Sequence, residues 1–286
     1  EDAAQTALET ALGKAPAYAE YATVFALVDA LREGACGAVL LEEAYQASVG
    51  DARGYEWTQT DMRKLGVLEL SVEEEEPMEV PADTPDRFLL YLSGSDTFGD
   101  ISTRSRSDVN ILAAVDVPAR EVLLVATPRD YYVSFSRTDG AKDKLAHTGI
   151  YGVAASVDAL ETLYQVDIDY YLRVNFTGFV EIIDALGGVN VYSDRKFTVE
   201  NIRTYEGYNQ LTGIEALAFA RERMSFPEGD FQRAKNQMEV IRAVVEKAAS
   251  PALVWNFSQV LEALEGTFET NLPEEQILAL APKLSG

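Results

Sequence analysis

The side chains best suited to chemistry in this 286-residue chain are arginines and aspartates gathered in two places. Arginine outnumbers lysine by 16 to 8, and Arg104, Arg106, Arg129, Arg221, Arg223 and Arg233 fall in two tight sets. A guanidinium keeps its charge and offers a planar fork of donors, which suits bidentate recognition of phosphate or carboxylate better than lysine's point charge. Asp96 and Asp108 flank Arg104 and Arg106, and Asp130 follows Arg129. Asp96 and Asp108 are hard oxygen donors able to hold Mg²⁺ (or Mn²⁺) bridging phosphate oxygens, with the arginines around the remaining charge. Each charge-assisted contact contributes roughly 1.5–3 kcal/mol. Phosphoryl transfer asks a protein for positioning and charge neutralisation more than for covalent participation, so such a set is sufficient in kind. No GxxxxGK[ST] motif is present, which removes the P-loop version of a phosphate site.

Composition narrows the classes further. The net charge of −23 and pI near 4.4 exclude a nucleic-acid partner, which needs a basic face to release counterions. Cys36 is the only cysteine and His147 the only histidine, so intrachain disulfides, Cys/His zinc sites and most Ser-His or Cys-His schemes are out of reach. His147 is expected to be a packed residue. No apolar run is long enough to cross a bilayer.

The elements that must position the charged residues follow from local pattern. Apolar runs at Phe88–Leu92, Val109–Val115 and Val122–Ala126, bounded by Gly, Ser, Asp and Pro, predict buried strands with Asp96, Arg106, Asp108 and Arg129 at their ends. Tyr131–Phe135, Tyr170–Val174 and Val189–Tyr192 predict further strands. Helical spacing predicts one helix over Lys144–Gln165 and another over Phe179–Leu186. Thr212 and Glu215 form a capping-box signature for a helix ending near Arg221. Asp230 is expected to cap a long helix to about Ala249, with Arg233 and Gln237 on one face. Helices over Trp255–Phe268 and Pro273–Leu284, the latter capped by Asn271, complete the chain. The Asn175 and Asn256 triplets match a glycan-acceptor pattern common by chance.

Residues 1–85 read as a small αβαβ-like accessory domain ending in an acidic, proline-containing linker, and residues 86–286 as the main domain. The expected accessory elements are helices up to Leu31, the second starting at Pro16, then a strand at Ala38–Leu41, helices over Glu42–Val49 and Tyr55–Lys64, and a strand at Val67–Val72. Glu73–Glu76 with Pro77, Pro81 and Pro85 breaks regular structure.

An ordered set of motifs now stands in the chain: GSD at Gly94–Asp96, RSD at Arg106–Asp108, PRD at Pro128–Asp130, KLAHTGIYG, IDYYLRVNFTGFVEIIDALGGVNV, LTGIEALAFARER and DFQRAKNQ. Over about residues 87–250 the chain resembles the LytR-CpsA-Psr family of cell-envelope proteins. The resemblance implies an α/β three-layer sandwich with a central mixed sheet and an apolar tunnel for a lipid tail. It implies a phosphotransferase that moves a glycopolymer (teichoic acid, capsule or related polysaccharide) from a polyprenyl-pyrophosphate carrier to peptidoglycan, with Mg²⁺ as cofactor. Carried over by position, Asp96 and Asp108 are the metal ligands and, with Arg106 and Arg129, the catalytic set. Arg106, Arg129, Arg221, Arg223, Arg233 and Gln237 clamp the pyrophosphate. The numbered chain is expected to lie on the extracytoplasmic face of a Gram-positive-type membrane, anchored by a segment upstream of it. Hydrolysis of the same carrier and a non-catalytic polyprenyl-phosphate-binding module are the rival readings. Two departures from the pattern stand out, Ser105 before RSD and a Ser/Thr-rich stretch between GSD and RSD.

Overall fold

A computed structural model describes residues 2–21, 23–41, 49–50, 54–68, 78, 80–82, 85–136, 142–199, 201–248, 262 and 264–284. The chain divides into two compact units, Glu1–Glu76 and Pro77–Gly286. The first contains helices α1 (Asp2–Leu12), α2 (Val24–Arg32) and α3 (Trp57–Thr60). The Thr23 hydroxyl accepts from the Ala26 amide at 3.1 Å and sets the start of α2, so Pro16 lies in irregular chain and not at a helix start. Phe25 packs on Tyr55 at 4.8 Å, and the Tyr55 hydroxyl donates to Asp29 at 2.9 Å. No strand forms among the described residues of this unit. Leu40 and Val67, expected in strands, are 45% and 62% exposed, because short apolar runs without a pairing strand have nothing to satisfy their backbone. The helix expected over Tyr55–Lys64 is the single turn of α3. Residues 42–48, 69–70 and 71–77, carrying most of the expected Glu42–Val49 helix, part of the Val67–Val72 strand and the acidic run, lie outside the described residues.

The second unit is built on strands β1 (Arg87–Ser95), β2 (Ser107–Asp116) and β3 (Glu121–Ala126), as the apolar runs predict. The chain continues through β4 (Tyr132–Ser134), β5 (Lys142–Lys144), α4 (Leu145–Thr148), α5 (Val153–Tyr164), β6 (Tyr170–Val174) and α6 (Phe176–Ala185). Then come β7 (Val189–Ser193), β8 (Phe197–Val199), β9 (Ile202–Thr204), β10 (Gly207–Leu211), α7 (Gly213–Arg221), α8 (Asp230–Ala248), β11 (Phe268–Thr270) and α9 (Glu274–Leu284). The central sheet runs β11-β6-β1-β2-β3, and β1–β6 is its parallel pair, which makes it mixed.

Side chains alternate between the two faces of this sheet. On one face Tyr91 and its cross-strand partner Leu112 pack with Leu145, Val153, Val157 and Leu160 of α4 and α5. On the other, Phe88, Ala113, Val115 and Tyr170 pack with Leu280 of α9. Helix, sheet and helix thus form the three expected layers, each fully buried large side chain contributing about 1.5–3 kcal/mol. A further core joins α6, α7 and α8 to β7 and β10 through Ile183, Phe219, Val240, Val189, Val191 and Leu211.

The helix expected over Lys144–Gln165 is broken into α4 and α5. Gly149 passes so close to the β2 approach that a Cβ there would lie 2.6 Å from the Ser107 amide nitrogen and 2.7 Å from the Ser105 carbonyl oxygen. Gly152 then takes φ +110°, a left-handed conformation that ends helical continuity. Asn271 does not cap α9: its side chain accepts from the Tyr171 amide at 2.8 Å and donates to the Asp169 carbonyl, pinning the strand partner of β11. Most of the expected Trp255–Phe268 helix lies outside the described residues. Cavities of about 440 and 420 Å³ are lined by residues at the Arg87 end of the sheet and by the β8–β9 ribbon, and neither includes a clustered arginine. No helix among the described residues is long and apolar enough to cross a membrane.

Candidate active site

Strand ends deliver the first charged set. Asp96 leaves β1, Arg106 and Asp108 enter β2 around a bulge between Gly94 and Ser95, and Arg129 follows β3. Two ion pairs result: Arg106 Nη2 to Asp96 Oδ2 at 2.7 Å, and Arg129 Nη1 to Asp108 Oδ2 at 2.6 Å. Beneath them, the buried Tyr91 hydroxyl donates to Asn110 at 2.6 Å, and the Ser93 and Ser107 hydroxyls meet at 2.8 Å. This network fixes the start of β2, and therefore Arg106 and Asp108, from below.

The second set meets the first through Asp230. Its carboxylate lies 3.9 Å from Arg129 Nε, 3.4 Å from Arg223 Nη1 and 3.2 Å from Arg233 Nη2. Asp130 stands 3.7 Å from Arg129 Nε and 3.2 Å from Lys144 Nζ. Arg106, Arg129, Lys144, Arg223 and Arg233 thus face Asp96, Asp108, Asp130 and Asp230, five cations against four carboxylates in a chain whose net charge is −23. Arg221 and Gln237 stand at the margin. Arg221 lies over the Phe176 ring at 4.5 Å, and that ring touches Phe98 at 5.1 Å. Gln237 donates to the Ala220 carbonyl at 3.4 Å and ties α8 to the end of α7.

Burial and neighbouring charge oppose one another at these groups. Burial raises the Asp108 pKa, and the attraction of Arg129 does not offset it, while Asp96 adds repulsion. Burial lowers the Arg233 pKa, with Asp230 opposing. At Arg129 burial also acts downward, but Asp108, Asp130 and Asp230 outweigh it and the pKa rises. At Asp130 burial acts upward, yet the hydrogen bond and charge of Lys144, with the Arg129 charge, bring the net shift down. Asp108 Oδ1 and Arg129 Nε are both buried without a hydrogen-bond partner. Unpaired buried polar atoms are costly, so an acceptor and a donor left without hydrogen bonds make Asp108 and Arg129 candidates for ligand contact.

The model of the LytR_cpsA_psr family matches residues 58–286. This chain belongs to that family. Among curated relatives, the polyisoprenyl-teichoic acid–peptidoglycan teichoic acid transferase TagU of Bacillus cereus (strain AH820) is 36% identical over 189 residues, covering 66% of this chain. The chain spans 61% of that relative's length. The crystal structure of B. subtilis TagV superposes with a TM-score of 0.63 at 29% identity, covering 70% of this chain and 80% of that one. TagT bound to LI-WTA gives 0.56 at 26% identity, covering 70% and 75%.

As a LytR_cpsA_psr protein the chain has supporting residues that pattern alone did not single out. Asp230, expected only as a helix cap, is the carboxylate shared by three guanidiniums; its place opposite Arg233 at i,i+3 was the available signal. Lys144 carried no motif signal beyond its place in KLAHTGIYG. His147 is packed as expected, 3% exposed with Nδ1 2.8 Å from Asp143. Asn175 is 3% exposed and caps α6, accepting from the Gly178 amide at 2.9 Å and donating to the Gly99 carbonyl at 2.9 Å, so it is no glycan acceptor.

Arg173 is the main fastener of the segment between Asp96 and Arg106. This 7%-exposed guanidinium donates to the Ile101 carbonyl at 2.9 Å and the Thr103 carbonyl at 2.6 Å, and pairs with Glu269 at 2.8 Å. Arg173→Ala is expected to cost about 2–4 kcal/mol of stability, read as a lower midpoint in thermal unfolding. Activity should fall with it, because Asp96 and Arg106 bracket the released segment.

Proposed function

We propose that this chain transfers a glycopolymer from a polyprenyl-pyrophosphate carrier to peptidoglycan on the extracytoplasmic face of the membrane. The observation that carries the reading is the convergence of Arg129, Arg223 and Arg233 on one carboxylate, beside a buried donor and a buried acceptor that make no hydrogen bond. A pyrophosphate supplies acceptors for all three guanidiniums and for Arg129 Nε, and it displaces or shares the place that Asp230 fills.

The residues fit a divalent cation. Asp108 Oδ1 is a buried hard acceptor without a donor, and the charge of Asp96 reaches it. Among the described residues no group of three or more His, Cys, Asp or Glu side chains that could hold a metal forms, so only Asp96 and Asp108 are offered as its ligands. Asp96 and Asp108 would hold it, with Arg106 and Arg129 left to bind phosphate oxygens. When bound, the cation supplies charge neutralisation on the bridging phosphates.

Arg129, Arg223 and Arg233 hold the two phosphates, while Arg106 and Arg221 extend the positive rim. An acceptor hydroxyl attacks the phosphorus that bears the glycan. The new P–O bond forms as the bond to the bridging oxygen breaks, polyprenyl phosphate leaves, and the hydroxyl proton is lost. The arginines stabilise charge on the equatorial oxygens and on the leaving phosphate. With Asp96 and Asp108 committed to the cation, that proton passes to water. The tail would lie along the sheet face that carries the half-buried Leu90, Leu92 and Leu124.

The test is incubation with a synthetic polyprenyl-pyrophosphate glycan and a peptidoglycan oligomer, followed by mass spectrometry. Polyprenyl phosphate should appear together with a phosphodiester-linked glycan–peptidoglycan product. Release of polyprenyl phosphate with free glycan phosphate and no linked product would establish hydrolysis instead. Chelation of divalent cations should suppress the reaction and added Mg²⁺ restore it.

A further inference from the structure

The β7–β10 ribbon has a face with no part in its core. Its inner residues Val189, Val191 and Leu211 pack against Ile183, Phe219 and Val240, whereas Asn190, Tyr192, Tyr208 and Gln210 point outward and are exposed. The strands pair Tyr192 with Tyr208 and Asn190 with Gln210, so two phenols and two amides occupy adjacent rungs of one surface. The rings meet at 5.4 Å and 71°, with Tyr192 44% and Tyr208 65% exposed. Such a cross-strand pair steadies the ribbon, and its edge-to-face geometry leaves ring faces open to solvent.

We propose that this face is a docking platform for an uncharged glycan strand, the acceptor side of the reaction. Aromatic faces accept the C–H surface of a sugar ring, and phenol and amide groups donate to and accept from its hydroxyl and N-acetyl groups. Charge selects the class of glycan. The neighbouring cation, Arg242, which interacts electrostatically with Tyr208, is already paired with Glu246 at 2.9 Å. The charge of Arg242 is thus compensated, and in a chain of net charge −23 a polyanionic polymer gains little from it. The same polarity disfavours a lipid surface. From Tyr208 the chain reaches Arg221 through the rest of β10 and the nine residues of α7, at most about 30 Å of chain, which bounds the span a docked glycan would have to cover.

The assignment rests on the transfer reading for the glycan's role as acceptor, and the test separates the two. The probe is a tetramer of β-linked N-acetylglucosamine, titrated into the full chain by calorimetry. Saturable binding is expected, weakened roughly tenfold or more in Tyr192→Ala/Tyr208→Ala and kept within about twofold in Tyr192→Phe/Tyr208→Phe, because phenylalanine retains the stacking face. Asn190→Ala/Gln210→Ala should weaken binding without disturbing the aromatic pair, a second route should the tyrosine double variant fold poorly. Arg129→Ala should bind the tetramer as the unsubstituted chain does, even though its transfer is lost. In the transfer assay the tyrosine variants should raise the KM for the acceptor and leave kcat unchanged. Absence of saturable binding, or equal binding by the folded double-alanine and asparagine–glutamine variants, overturns the platform whatever the fate of the transfer reaction.

Discussion

Arg129→Ala is expected to lower glycan transfer by about 10²–10³-fold, equivalent to roughly 3–4 kcal/mol of lost charge-assisted contact. Arg129 lies within 4 Å of three carboxylates, Asp108, Asp130 and Asp230. Its removal deprives the ligand of a buried donor and leaves those three negative charges to repel the incoming pyrophosphate. Arg129→Lys should recover little, since one ammonium cannot match a fork engaged on several sides. The fold should persist, because the tie from this residue to α4 runs through its carbonyl, which accepts from the Ala146 amide at 2.8 Å. Single-turnover transfer with a labelled donor, read beside thermal unfolding, checks both halves. Activity within a few-fold of the unsubstituted chain would remove Arg129 from the clamp.

Asp108→Asn should have the opposite balance, a loss of turnover of about 10²-fold or more with stability unchanged or improved. Burial outweighs the attraction of Arg129 at this carboxylate, so the folded state favours its protonated form. A raised folded pKa means that the associated stability is fully present below the unfolded value, near 3.9, and is lost as pH rises through the folded value. At neutral pH the native chain therefore carries a penalty that asparagine lacks, while asparagine still offers Arg129 an oxygen. The midpoint of unfolding for Asp108→Asn should exceed that of the unsubstituted chain by about 2–4 °C at pH 7, and the gap should close as pH falls towards 4. A lower midpoint at pH 7 would show that the ion pair, and not burial, dominates this position.

Both substitutions act where residues from distant segments meet, and that separates what was legible locally from what was not. The strands carrying Asp96, Arg106, Asp108 and Arg129 were readable because Leu/Val runs bounded by turn residues have few alternatives to a buried sheet. The capping box at Thr212 and Glu215 was readable for the same reason, all its partners lying within three residues. By contrast β8, β9 and β10 were missed, since short polar strands such as Ile202–Thr204 carry weak alternation and owe their form to a neighbouring strand. The break between α4 and α5 was missed because periodicity continues across it. The break depends on Gly149 lying against Ser105 and Ser107, some forty residues earlier.

By itself, the sequence determined the chemistry available: guanidiniums and carboxylates, almost no histidine or cysteine, an acidic background, and motifs in an order specific enough to name a family. Only the tertiary structure decided that Asp230 is shared by Arg129, Arg223 and Arg233, that Asp108 and Arg129 keep buried atoms without a hydrogen bond, and that Arg173 holds the segment between the two metal-binding candidates. The physical reason is that these contacts depend on how helices α6, α7 and α8 dock. That docking rests on Gly213, where a Cβ would meet the Val180 carbonyl oxygen at 2.3 Å, and on the hydrogen bond from Asn236 to the Phe219 carbonyl. Local spacing carries no information about either contact, because each forms only once the apolar faces of separate elements have found one another.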